Sequence, residues 1–287
     1  MGIKEIYEQY QKSQSYDISN FVPEPEKLTA VVITKNEEKN IARCLSSLDF
    51  VDEIIIVDSG STDKTIEIAK TFNKVSVIQT KWYGFVENKR IGVEKAENDW
   101  ILWVDADEVI PVDLAKEWED RVAEGSFHET AGIDVSRKTF FLNHWVRHSG
   151  WYPGRVTRFF HKKRAYFNDN ILHEGVVAKQ GYIVESFKTD LLHYSYTSIY
   201  QYFDKMNKYG LAGAKEIKRK KKIVLLPQLF LQPMWTFIRF YFLKKGFLDG
   251  RIGLIVCIGS AFSNFIKYAN YFFLKKYNYV EINEKEL

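Results

Sequence analysis

Asp105 and Asp107 stand one residue apart, directly after the apolar run Trp100-Ile101-Leu102-Trp103-Val104. A run of that kind reads as a buried strand, so the acids fall at its carboxyl end, where open α/β sheets place their chemistry. If the extended backbone persists through Asp107, its two-residue period points both carboxylates to one side, where they can hold a hard cation with oxygen ligands. The same doublet also serves as a solvated strand-to-loop turn. The sequence upstream bears on that choice.

The elements that must position the pair alternate. Leu28 to Ile33 is a short β-rich run, followed by the polar loop Thr34-Lys35-Asn36-Glu37 and a helical pattern that places Ile41, Leu45 and Leu48 on one face. Asn36 is placed to cap that helix, with Glu37 and Glu38 in a first turn that the helix dipole favours. A second unit runs from the strand Glu53 to Val57, through the turn Asp58 to Asp63, into a helix with Ile66, Ala69 and Phe72 inward. Val75 to Ile78 is a third strand, and a helix over Gly84 to Ala96 feeds the strand that carries the acids. Strands alternating with helices predict parallel pairing with right-handed crossovers. The loops Thr34 to Glu37, Asp58 to Asp63 and Asp105 to Glu108 then share one rim.

Composition sets bounds on the rest. The chain has 287 residues, 46% hydrophobic and 27% charged, which suits one large domain or a domain with an appendage and argues against disorder. A net charge of +4, with basic residues scattered over the first 200 positions, gives no nucleic-acid stripe. Cys44 and Cys257 lie far apart in apolar patterns, form neither a zinc motif nor a disulfide framework, and fit a reducing cytoplasm. Met1 to Asn20 is polar and tyrosine-rich, without the apolar core of a secretory signal.

Three segments in order, V-V-I-T-K-N-E-E, E-I-I-I-V-D-S-G-S-T-D-K-T and D-W-I-L-W-V-D-A-D-E, resemble the family 2 glycosyltransferases of GT-A fold. The later segments R-H-S-G-W-Y-P-G-R-V-T-R-F-F, H-E-G-V-V and L-L-H-Y-S-Y are similar to a narrower branch, the bacterial lipopolysaccharide core β-glucosyltransferases. The resemblance covers roughly residues 28 to 275. It implies an α/β fold: a Rossmann-like, mostly parallel sheet flanked by helices, with a C-terminal helical region that associates with membrane. The implied division is an extension over 1–27, a catalytic domain over 28–200 and a helical region over 201–287.

The resemblance also implies site roles. Thr34, Asn36, Glu37 and Asp58 would hold the uridine of a UDP-sugar, carboxylates being suited to the imide and ribose donors. Asp105 and Asp107 would bind Mg²⁺ or Mn²⁺ on the diphosphate, with His193 as a further metal or phosphate contact. Read on its own, a lone histidine in the apolar context of His193 is more often a satisfied core residue than a ligand. Lys89 matches a position that approaches the donor in relatives, and otherwise it is a surface lysine. Inversion at the anomeric carbon needs a base for the acceptor hydroxyl. The common E-D pair is missing, and this branch carries His-Glu there, which selects Glu174, with Asp169 in reserve and His173 orienting the base or contacting phosphate. Arg155 and Arg158 have forks suited to phosphate or carboxylate, unless strand alternation leaves them solvated. His144 and His148 have metal-like spacing, but Trp145 stands where a zinc-protease helix needs glutamate, so they read as a pocket wall.

After a tyrosine-rich helix over Tyr200 to Ala214 comes the basic run Lys218 to Lys222, then an aromatic stretch from Ile223 to Leu274. Arg239, Lys244, Lys245, Asp249, Arg251 and Lys267 divide it below the ~18 apolar residues of a membrane span. Helices lying in the interface fit that composition, each basic residue near an anionic leaflet contributing about 1 kcal/mol. The alternative is a helical subdomain packed on the catalytic domain or on a second copy of the chain. The expected partners are thus a nucleotide-sugar donor, a lipid-linked oligosaccharide acceptor and an anionic membrane surface. The expected location is peripheral, on the cytoplasmic side of a bacterial inner membrane. Two rival functions are weaker. A sugar nucleotidyltransferase needs glycines in the loop at Thr34 to Glu37, and a non-catalytic sugar-nucleotide adaptor has no need of both acids.

Overall fold

The computed structural model describes residues 25–125, 127–168 and 175–277. Four parallel strands form its amino-terminal half: β1 (Leu28–Thr34), β2 (Glu53–Asp58), β3 (Val75–Gln79) and β4 (Trp100–Asp105), in the order β3-β2-β1-β4. Their crossovers are α1 (Ile41–Ser46), α2 (Thr65–Ala69) and α3 (Phe85–Lys95). Register sets the rim. Thr34 pairs with Asp58 and Ile33 with Asp105, so three loops leave the sheet at one level.

Strands buried on both faces read as unbroken apolar runs, and all seven residues of β1 are buried. On one face Ile41, Leu45 and Leu48 pack with Val32, Ile56, Leu102 and Trp118. On the other, α3 lies so close that a Cβ on Gly92 would collide with the side chain of Val31. That approach fixes the height of Lys89, one turn earlier.

Beyond β4 the sheet turns mixed. The two-residue β5 (Glu108–Val109) and α4 (Val112–Ala123) lead to β6 (Thr130–Phe141), β7 (His144–Trp145), β8 (Gly154–His161), β9 (Ala165–Phe167), β10 (Val176–Ala178) and β11 (Ile183–Tyr196). β8 pairs antiparallel with both β4 and β6, β11 runs parallel to β6, and β5 closes antiparallel on β11. Only the first half obeys the alternation expected from sequence.

Asn36 does not cap a helix. Its φ is +56°, α1 starts at Ile41 after Asn40, and the Asn36 amide oxygen instead accepts from the Thr62 N–H at 2.8 Å. The neighbouring loop supplied a better-placed donor than the next turn of its own chain.

α5 (Ile199–Arg219), α6 (Gln228–Ile238), a π-helical turn (Arg239–Leu243), a 3₁₀ turn (Gly246–Asp249) and α7 (Gly250–Tyr277) follow. The charges of this region do not divide it as expected, because Arg251 and Lys267 lie within one continuous helix. By length and composition alone, Gly246–Phe273 suffices to cross a membrane, with mean hydropathy 1.5 and 22% of its most apolar window buried. A core helix can pass the same test. One face of α7 is packed on α5: Tyr202 Oη donates to the Val256 carbonyl at 2.8 Å, and Gly210 leaves room for Ile266.

Candidate functional site

β4 ends at Asp105 and residues 106–107 form a turn, so the extended backbone does not persist and the two carboxylates diverge. Asp105 turns toward cations. Its Oδ1 lies 3.9 Å from Lys89 Nζ, and its Oδ2 accepts from Arg158 Nη2 at 3.0 Å. Arg158 also donates to Glu108, whose other carboxylate oxygen accepts from the Asp105 N–H at 3.1 Å. The Trp103 ring carries both cations, Lys89 at 3.7 Å and Arg158 at 3.5 Å from its centroid.

Both of those cations are 1% exposed, so a solvated-surface reading of Lys89 is excluded. Burial pushes Asp105 upward, but the Lys89 and Arg158 charges outweigh it and hold the carboxyl well below the usual range. Glu108 goes the other way. Its complete burial raises it above the usual range, and Arg158 offsets only part of that. Nε and Nη1 of Arg158 are buried with no hydrogen-bond partner among the described residues.

Asp107 turns toward β11. Its Oδ2 lies 3.4 Å from His193 Nε2, and its carbonyl accepts from the Tyr194 N–H at 2.9 Å. The β5–β11 ladder, which sets His193 opposite Glu108, makes that meeting possible. Among the described residues no group of three His, Cys, Asp or Glu side chains converges as a metal cage. Asp107 and His193 nonetheless present one oxygen and one nitrogen to the same point, and Mg²⁺ commonly takes one or two carboxylates, several waters and substrate phosphates. They fit a divalent cation whose remaining ligands come from a diphosphate.

The rest of the rim is a pair of loops tied together. The Asn36 N–H donates to Ser61 Oγ at 2.9 Å and the Glu37 N–H to Thr65 Oγ1 at 2.8 Å. Asp58 is fully buried, and its carboxylate accepts from the N–H groups of Gly60 and Ser61, each at 3.1 Å, and from the Ser61 hydroxyl. Gly60, at φ +86°, gives the turn its left-handed step. Asp58 therefore shapes its own loop, with lone pairs remaining for a ligand. Thr34 Oγ1 is buried at the rim without a partner among the described residues.

Glu37 is raised above its usual range, chiefly by burial and further by Asp107, while the amide of Asn40 opposes the rise by donating to its Oε2 at 2.8 Å. Lys205 of α5 also faces this group. Burial lowers it, but Tyr209, Tyr196, Asp107 and Asp105 together outweigh that and raise it. Its Nζ lies 5.1 Å from the centroid of the Tyr196 ring.

Thus Asp105, Lys89 and Arg158 come together, Asp107 meets His193, and Glu37 faces Asp107. Arg155 does not join them: it lies exposed on β8, three residues from Arg158. Asp169, His173 and Glu174 lie outside the described residues. His148 pairs through Nδ1 with Asp249 at 2.9 Å, away from exposed His144. Sequence reasoning missed Lys205 and the role of Glu108. Glu108 adjoins the acid pair and was within reach of inspection, whereas nothing local marks Lys205.

The family model described as Glycosyl transferase family 2 matches residues 29–191. An uncharacterized glycosyltransferase of Rickettsia typhi is 32% identical over 253 residues, covering 85% of this chain and 86% of its own. The lipopolysaccharide core biosynthesis glycosyltransferase LpsC of Rhizobium meliloti is 27% identical over 241 residues, covering 79% and 88%. Among solved structures, S. aureus TarS 1-349 in complex with UDP aligns with a TM-score of 0.43 at 16% identity, covering 90% of this chain and 95% of its own.

Proposed function

The chain belongs to glycosyl transferase family 2, and on that premise we propose that it moves a hexose, glucose from UDP-glucose, onto a lipid-linked core oligosaccharide with inversion. The observation that carries this reading is the rim itself. Two acids at the end of β4 are each held by a different partner, Asp105 by Lys89 and Arg158 and Asp107 by His193, beside the crosslinked loops of β1 and β2.

In this reading Thr34, Asn36, Glu37 and Asp58 orient the uridine, and Asp107 and His193, with Asp105 behind them, hold Mg²⁺ or Mn²⁺. When bound, that ion supplies Lewis-acid stabilisation of the leaving diphosphate. Lys89 and Arg158, both buried, keep half-buried Asp105 ionised and add positive charge where the phosphates must sit. Glu174 takes the proton of the acceptor hydroxyl, with Asp169 as its substitute. The LpsC relative supports a lipopolysaccharide core acceptor.

A lipid-linked acceptor calls for a surface that meets the leaflet. Phe230, Leu231, Met234 and Trp235 on α6 are exposed, as are Phe242, Leu243, Phe247 and Leu248 in the turns before α7, next to Lys244 and Lys245. We assign this face, with Lys218 to Lys222, to peripheral contact with an anionic cytoplasmic leaflet.

Titration calorimetry of UDP with and without Mn²⁺ tests the donor site, and tighter binding with metal is expected. Release of UDP from UDP-glucose on addition of core oligosaccharide then tests the transfer. A chain that binds no UDP under either condition refutes the reading.

A further inference from the structure

Beside Glu37, the first turn of α1 and the ends of β6 and β11 enclose a polar cavity of about 200 Å³, bordered by Lys39, Asn40, Arg43, Asn143, Tyr194 and Thr197. Arg43 is exposed, and its guanidinium makes two contacts at the cavity. Its guanidinium lies 3.7 Å from the centroid of the Tyr194 ring, and Tyr194 in turn stacks on Phe140 with centroids 4.9 Å apart and planes 11° from parallel. One Arg43 nitrogen donates to Asn40 Oδ1 at 2.9 Å, and Asn40 donates to Glu37, so a single chain of contacts runs from Arg43 to the nucleotide loop.

What Arg43 lacks is a carboxylate. Among the described residues neither Arg43 nor Lys39 forms an ion pair, which is also true of Arg137, Arg147, Arg155, Arg164, Arg239 and Arg251, but these two border the cavity. A planar fork fixed by stacking, with N–H groups left over and a lysine on the same rim, is arranged for bidentate contact with a carboxylate or phosphate. The cavity is smaller than the ~300–1,000 Å³ of a drug-sized pocket, so it suits one sugar ring or one anionic substituent.

Its place in the fold fixes which substrate it serves. Tyr194 hangs from the Asp107 carbonyl, and Tyr196, which also lines the cavity, carries Lys205 on its ring. The cavity therefore borders the acid pair from the α1 and β11 side, while Lys89 approaches from α3. The geometry points to an acceptor subsite that takes a carboxylate- or phosphate-bearing sugar and holds it through Arg43 and Lys39. This assignment rests on the transferase reading above.

Saturation-transfer NMR on the full chain with Mg²⁺, before and after addition of UDP, tests it using three probes: glucuronate, glucose 6-phosphate and glucose. At least one acidic probe should bind, tenfold or more tighter than glucose, and should persist as UDP is added; which acid binds identifies carboxylate or phosphate. Arg43→Met should weaken that probe at least tenfold, and Arg43→Lys, which keeps the charge but not the fork, should fail to restore it. Lys39→Met, at an exposed position, gives a second readout if Arg43→Met does not fold. Equal binding of glucose, displacement of the acid by UDP, absence of signal from both acids, or indifference to all of these substitutions overturns the subsite. Calorimetry of UDP on the same protein free of nucleotide separates the two ideas, since absence of UDP binding removes the donor reading, while UDP binding with no acidic probe bound removes only the subsite.

Discussion

Asp105 and Asp107, though only one residue apart, have different work, and the difference is set by what each carboxylate faces. Asp105 is held between two buried cations, whereas Asp107 meets one histidine. Asp107→Asn should therefore abolish transfer with the melting temperature nearly unchanged; full activity in that variant would remove Asp107 from the metal site. Arg158→Met strands the buried Glu108 carboxylate and takes one cation from half-buried Asp105, and breaking a buried pair costs roughly 3–5 kcal/mol, so denaturant unfolding should register a large loss. A midpoint within error of the parent would show that Glu108 and Asp105 find other partners. His161 gives a pH readout. Burial, reinforced by Arg164, lowers it from 6.5 to about 4, so the unfolded chain takes up the proton first. Stability should fall as pH drops from about 6.5 to about 4, by at most about 3 kcal/mol from this residue. His161→Phe should flatten that slope in melts taken across the window.

At the scale of elements, the site depends on how closely α3 approaches the sheet. Gly92 packs on Val31 and Val57, and Lys89 lies one turn away on the same helix. Gly92→Ala overpacks that contact, at a cost of about 1–3 kcal/mol, and lifts α3 away from β1. The variant should lose stability and also bind UDP more weakly; a destabilised variant with unchanged UDP affinity would separate the height of α3 from donor binding. The two residues of β5 are equally consequential, because their ladder to β11 brings His193 to Asp107.

At the scale of the molecule, α5 joins the two ends of the reading. Lys205 on α5 faces the acids, while Tyr202 and Gly210 on the same helix anchor α7. Contact of α6 and α7 with a leaflet would thus be felt at the site through one rigid element. Flotation with anionic vesicles should carry the protein upward at low salt. Charge reversal at Lys218 to Lys222, or high salt, should release it, since exposed charges are screened within about 8 Å at physiological ionic strength. Equal flotation with neutral vesicles would assign the contact to the apolar face alone.

The amino-terminal half was legible because its signals are local. Apolar runs, turn residues and helical spacing in β1 to β4 imply parallel crossovers, and those crossovers put Thr34, Asp58 and Asp105 on one rim. The second half was not, because antiparallel and parallel pairings over β6, β8 and β11 depend on long-range register, which no short pattern encodes. Arg155 and Arg158 look alike in sequence, yet one is solvated and the other neutralises acids 50 and 53 residues away. Asn36 reads as a cap because Asn often is one, and it bonds Thr62 because tertiary folding brought a second loop alongside. The sequence by itself determined that acids would stand at the end of a buried strand, on one rim with the loops that follow β1 and β2. Only the tertiary structure decided which cation each acid would face, because that choice is made by burial and by partners far away in the chain.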